Sequence, residues 1–230
     1  MNRINQTRYT LIIRWTFFFV GLMILGFGIS LTMQAKDLGI GPWDVLHYGL
    51  FLQFGLSVGT WSIIAGIIVV TATALILKKR PQIGTVLNMV LIGIFIDLFN
   101  WLLPEPNMLW LEVIVFVGGV AVIALGIGIY VAPGIGAGPR DGLMLVITEK
   151  TGWKVSAVRN GIEISVALIG WLLGGPIGFG TIFIAFFFGS FLGYALPYTK
   201  QLLHFIIRKG DTYEDIYQGT LRPDHHDRIS

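Results

Sequence analysis

No cysteine occurs among the 230 residues, which excludes disulfides, thiolate metal sites and cysteine nucleophiles together. Charge is scarce as well. Asp, Glu, Lys and Arg make up 13% of the chain against 54% hydrophobic residues, and the mean hydropathy is +0.75. That leaves too little polar surface to cover a soluble domain of this size. The net charge of +3 is modest, so there is no basic excess of the kind that binds nucleic acid. No Ser/His constellation and no metal-ligand cluster falls within the apolar segments, so the sequence points to no catalytic residue, no metal, no cofactor and no enzyme. The lipid bilayer is the expected surrounding.

What is present is a series of long apolar runs. A span needs about 20 apolar residues, and six stretches qualify, at roughly 10–33, 58–77, 83–103, 109–132, 155–174 and 178–199. The first is too long for a signal-peptide core and no small-x-small cleavage site comes after it, so it reads as a retained span. Two further stretches, about 42–54 and 139–149, are too short to cross. At ~1.5 Å per residue each reaches less than about 20 Å, which suits a re-entrant or interfacial half-helix.

Basic residues set an expected orientation, because cytoplasmic flanks collect Lys and Arg. With the N-terminus inside, Arg3, Arg8, Arg14, Lys78, Lys79, Arg80, Arg140, Lys150, Lys154, Lys200, Arg208 and Lys209 all fall on the cytoplasmic side, and Lys36 falls outside. Eight crossings would put Lys78-Lys79-Arg80 outside. Six spans with both termini cytoplasmic is therefore the expected topology. Trp15 and Trp153 lie near inner span ends, and Trp43, Trp101, Trp110 and Trp171 near outer ends, as aromatic belts do.

Three blocks recur in the same order in both halves. Leu25–Leu31 (LGFGISL) matches Leu125–Val131 (LGIGIYV), Gly39–Leu46 (GIGPWDVL) matches Gly136–Leu143 (GAGPRDGL), and Gly84-Thr85 with Gly93 and Phe95 matches Gly180-Thr181 with Gly189 and Phe191. The offsets are 100, 97 and 96. Collinear blocks at near-constant offset indicate duplication. Three crossings per copy force the second copy to enter from the opposite side, so the expected fold is an all-α membrane protein of six transmembrane helices, built as two inverted three-span repeats, each with a short half-helix. The repeats occupy residues 1–104 and 105–208, followed by a polar cytoplasmic tail, 209–230, read as mobile.

Six candidate residues lie in the duplicated turn: Gly41, Pro42 and Asp44, with Gly138, Pro139 and Asp141. Glycine permits close approach, Pro suits the first helical position, and a carboxylate two residues on favours the positive helix end. One reading is that the aspartates cap half-helices. The other is that broken helices expose amides for an anion, with carbonyls and aspartates for a cation or proton. Arg159 and Glu163 are i, i+4 on the fifth span and can pair. Glu163 lies about 12 Å along it, where an ionisable group is a functional candidate by default; its counterparts in the first half are Ser62 and Gly66. Asp97 and Glu112 read as interfacial residues facing water, with a place along a pathway as the alternative; His47, on the face of Asp44, reads as a hydrogen-bonding residue, with a proton relay as the alternative; and His225-His226 in the tail are weak evidence for a metal.

The paired Gly-x-Gly-Pro-Trp-Asp and Gly-x-Gly-Pro-Arg-Asp motifs, with Gly-Thr opening the last span of each half, resemble the YczE/YyaS/YitT-type bacterial multipass membrane proteins over about residues 10–208. That resemblance implies a bacterial cytoplasmic-membrane location and assigns no residue a role. The expected function is a small secondary transporter or channel for an unknown small solute or ion, compatible with a homo-oligomer. The alternative is a non-transporting accessory protein that binds or stabilises another membrane component.

Overall fold

The computed structural model describes residues 3–136 and 138–219, with side chains for 8–209 apart from 137, 141 and 145. Among the described residues all regular structure is helical: α1 (Arg3–Gln34), a 3₁₀ turn (Lys36–Leu38), α2 (Pro42–Phe54), α3 (Val58–Leu77), α4 (Ile83–Leu102), α5 (Leu109–Val131), α6 (Pro139–Thr151), α7 (Val155–Leu172) and α8 (Phe179–Gly219). Six of these, α1, α3, α4, α5, α7 and α8, are long and apolar enough to cross a membrane, and the chain is a multi-pass membrane protein.

The two short helices match the two short apolar runs because both carry the same start and stop signals. Gly41 and Gly138 are the N-caps, Pro42 and Pro139 take the first helical position, and Gly55 and Gly152 end each helix at φ of 70° and 69°. Each helix is 13 residues long.

One boundary differs from the sequence reading. Helix α8 runs past the end of the apolar stretch to Gly219, with Pro197 inside it, so residues 209–219 continue the helix. Hydropathy marks where a span leaves lipid, not where its backbone hydrogen bonds stop. His225 and His226 lie outside the described residues.

Helices α1 and α5 form the centre. They cross antiparallel on reciprocal glycines: a Cβ on Gly28 would stand 3.1 Å from the Gly119 carbonyl oxygen, and one on Gly119 equally far from that of Gly28. One turn pair away, a Cβ on Gly126 would meet the Gly21 oxygen at 3.0 Å. Backbones this close gain dispersion contact that lipid cannot supply, which is how membrane helices associate. Gly118, next to Gly119 on α5, faces open space. Around this pair, α4 packs on α1 and α8 on α5, α3 packs on α4, and the half-helices bridge outward, α2 to α3 and α7, α6 to α3 and α7. No comparable packing joins α7 to α8 among the described residues.

Asp97 holds the start of α3. Its carboxylate accepts the Gly59 amide at 2.8 Å and the Ser57 hydroxyl, while Ser57 Oγ accepts the Thr60 amide at 3.1 Å. Amides that a helix leaves unpaired at its first turn are thereby satisfied from a neighbouring helix. The expectation that Asp97 faces water is corrected: it is part-buried and works as a cap.

Candidate functional site: a cavity where the two turns meet

Each Gly-x-Gly-Pro loop is seated on the Gly-Thr step of the other half. A Cβ on Gly180 would lie 2.6 Å from the Gly39 oxygen, and one on Gly84 would lie 2.6 Å from the Ile135 oxygen. Gly39, at φ +95°, lies against Gly178 and Thr181; Gly136 lies against Gly84 and Thr85. A side chain at any of these glycines would push a loop off its seat, which is why the blocks recur as glycine. The seats direct the N-termini of α2 and α6 into a common space.

That space is a cavity of about 480 Å³ reached by Gly41, Pro42, Asp44, His47, Gly138, Pro139, Arg140, Arg159 and Glu163. Its walls come from the spans, including Ser62 and Gly66 of α3, Asn88 of α4 and Ile123 of α5. The volume lies within the range of about 300–1,000 Å³ usual for small-ligand sites.

The two turns touch through Arg140. Its Nη2 stands 4.0 Å from Asp44 Oδ1, and its guanidinium carbon lies 4.9 Å from the centre of the Trp43 ring. Trp43 is buried in this contact, so its expected place in an outer aromatic belt is corrected. Trp101, Trp110 and Trp171 do stand exposed.

Asp44 is 5% exposed, His47 1% and Asn88 2%. Asp44 Oδ1, both imidazole nitrogens of His47 and Asn88 Nδ2 have no hydrogen-bond partner among the described residues. Asp44 stands in the first turn of α2, where a carboxylate favours the positive helix end. Gly41 is fitted to Asp44, since a Cβ there would fall 2.7 Å from Oδ2. His47 is corrected too: Nδ1 is 3.9 Å from Asp44 Oδ1, beyond hydrogen-bond reach. Buried polar atoms left unpaired cost about 1–3 kcal/mol each, and they persist where a ligand or water completes them.

Arg159 Nε donates to Glu163 Oε1 at 3.0 Å, as their spacing allows, and both line the cavity, as do Ser62 and Gly66. Asp141 occupies the first turn of α6, and its side chain lies outside the described residues. Among the described residues no group of three metal-ligating side chains converges. The sequence reading passed over Asn88 and Trp43 as site residues and used Arg140 only for orientation. A polar Asn in mid-span was the available signal for the first; nothing local marks the other two.

The chain is 53% identical to the uncharacterised membrane protein YczE of Bacillus subtilis (strain 168) over 199 residues, 86% of this chain and 93% of that protein. A Haemophilus influenzae protein is 36% identical over 186 residues, 80% of this chain and 83% of its own. Bacillus subtilis YyaS is 29% identical over 205 residues, 87% of this chain and 100% of its own. No solved structure matches. A family of unknown function, DUF6198, matches residues 12–197, which include both turns, both Gly-Thr seats and every described residue of the cavity, and it is to this family that the chain belongs.

Proposed function

We propose that the protein is a small secondary transporter of the bacterial cytoplasmic membrane that holds its substrate where the two Gly-Pro-x-Asp turns meet. The observation that carries this reading is the reach of Arg140 from one turn to Asp44 on the other, inside a cavity lined by the spans. Secondary transporters bind at the interface of repeats, between the ends of broken helices.

Two inverted three-span units, 1–104 and 105–208, are supported by part of the packing, the close α3–α4 pair having no comparable counterpart between α7 and α8 among the described residues. The antiparallel α1–α5 pair lies on the pseudo-two-fold axis, α1–α4 corresponds to α5–α8, and α2–α7 to α6–α3. Single contacts obey the same rule: Gly170 abuts Val45 and Leu46 of α2, and the residues 97 positions away, Thr73 and Gly142, also meet. The distribution of Lys and Arg supports cytoplasmic termini. An accessory role calls for a closed apolar core, and four charged side chains around a cavity weigh against it.

Flux into proteoliposomes, measured over a panel of radiolabelled solutes for the wild type and for Asp44→Asn, Arg140→Ala and Glu163→Gln, tests the reading. Transport that falls at least tenfold in Asp44→Asn and Arg140→Ala is expected. Transport unchanged in all three, or no flux for any solute, would overturn it.

A further inference from the structure

The ring of helices around the cavity has one open side. On the first half α3 closes against α4 so tightly that a Cβ on Gly93 would lie 2.5 Å from the Gly59 oxygen. The matching glycine of the second half, Gly189 on α8, has nothing described within 4 Å, and neither do Gly193 on α8 or Gly161 on α7. Arg159, Asn160 and Glu163 on α7 and Ala185, Phe186 and Gly189 on α8 nonetheless line one cavity. Phe186 is 78% exposed while it does so, which makes the gap between α7 and α8 a side opening. Both helices are of span length, so the opening faces the acyl chains rather than water.

A polar solute would have to cross hydrocarbon to use such an opening; a molecule already dissolved in the bilayer would not. The cavity is polar at its inner end, where Asp44, His47 and Asn88 carry unpaired atoms, and apolar toward α5 and α8, where Val120, Ile184, Phe188 and Leu192 line it. Its described charges balance as two pairs, Asp44 with Arg140 at 4.0 Å and Glu163 with Arg159 at 3.0 Å, so each pair presents both signs to the cavity. The N-termini of α2 and α6 add partial positive charge beside Arg140. Such a lining complements a head that carries both signs. About 480 Å³ holds a head group, and a chain left between α7 and α8 stays in lipid at little cost.

We propose that the substrate is an amphiphile with a zwitterionic head, which enters sideways between α7 and α8, seats its head against Asp44, Arg140 and Glu163, and leaves its apolar chain in the gap. Movement of the bound amphiphile across the bilayer rests on the transport reading; binding itself does not.

The test uses the whole protein in lipid nanodiscs with a single-chain alkylphosphocholine that carries a diazirine on its chain. Light-driven labelling of peptides around Asn160–Glu163 and Ala185–Gly189 is expected to exceed labelling around the lipid-facing Leu75 at least fivefold, and to be competed by unlabelled alkylphosphocholine but not by free phosphocholine. Gly189→Leu fills open space without a clash and should cut gap labelling at least fivefold while leaving Leu75 unchanged; Asp44→Asn should do the same from the head end. Labelling at the gap equal to that at Leu75, or insensitive to both substitutions, overturns the proposal. Asp44-dependent flux of a soluble solute without gap labelling sinks the amphiphile and leaves transport standing. Gap labelling that needs Asp44, with no transbilayer movement of the probe in proteoliposomes, supports the site and removes transport.

Discussion

Arg140 Nη2 stands 4.0 Å from Asp44 Oδ1, and the same guanidinium lies over the ring of Trp43. Two turns 97 residues apart in sequence are thus joined by one side chain that occurs in only one of them. Arg140→Ala leaves a buried carboxylate without its countercharge and is expected to lower stability by about 1–3 kcal/mol. Arg140→Lys keeps the charge, gives up the planar stack on Trp43, and should recover only part of the loss. The double variant with Asp44→Asn should be more stable than Arg140→Ala alone. Thermal unfolding in detergent, arranged as a double-mutant cycle, reads the coupling; additive losses would contradict it.

Asp97 predicts a purely structural defect. Removing its two bonds to the start of α3 by Asp97→Ala should cost about 1–2 kcal/mol. Ser57→Ala leaves the Gly59 amide its acceptor but takes the N-cap acceptor from the Thr60 amide, so it should cost a similar amount. Differential scanning fluorimetry measures the two, and ligand affinity of the folded fraction should be unchanged in both.

The glycine seam separates two kinds of glycine within one helix. Gly119→Leu forces its side chain into the Gly28 backbone and should abolish a monodisperse peak in size-exclusion chromatography, while Gly118→Leu, one residue away and facing open space, should leave it intact. Equal behaviour of the pair would contradict the α1–α5 packing.

Lys36 donates to Glu105 at 2.5 Å across two loops, and that hydrogen bond raises the Lys36 pKa above its usual 10.5. Because the folded pKa is the higher one, the contribution is complete below pH 10.5 and fades as pH rises through the folded value. Glu105 is two-thirds exposed, so the pair is screened and worth less than about 1 kcal/mol. Lys36→Met should shift the unfolding midpoint slightly at pH 8 and progressively less above pH 10.5.

The spans were legible because a bilayer asks only for length and apolarity, and the breaks are sharp: Gly41-Pro42, Lys78-Lys79-Arg80 and Gly138-Pro139. Both half-helices were legible from their Gly-Pro starts. Helical residues 209–219 were not, since nothing in hydropathy separates a polar helix from a polar tail. Within the site, Arg159 and Glu163 paired as their i, i+4 spacing allowed, a relation local to one helix. The meeting of Asp44 with Arg140 was not readable. Symmetry between the turns directs attention to Asp44 with Asp141, whereas the contact made is between unlike residues at neighbouring positions of the motif. The cap role of Asp97 was hidden for the same reason, its partners being 38 and 40 residues away on another helix.

Helix α7 is fastened to the rest of the bundle by the two half-helices and is unsupported on its α8 side. Its firmest attachment is Gly170 against the backbone of Val45 and Leu46, the residues next to Asp44. In mechanical terms the carboxylate and the seat of α7 share one turn of α2. Any displacement of Asp44 would therefore be passed to α7 and to α3, the two spans on which α2 packs.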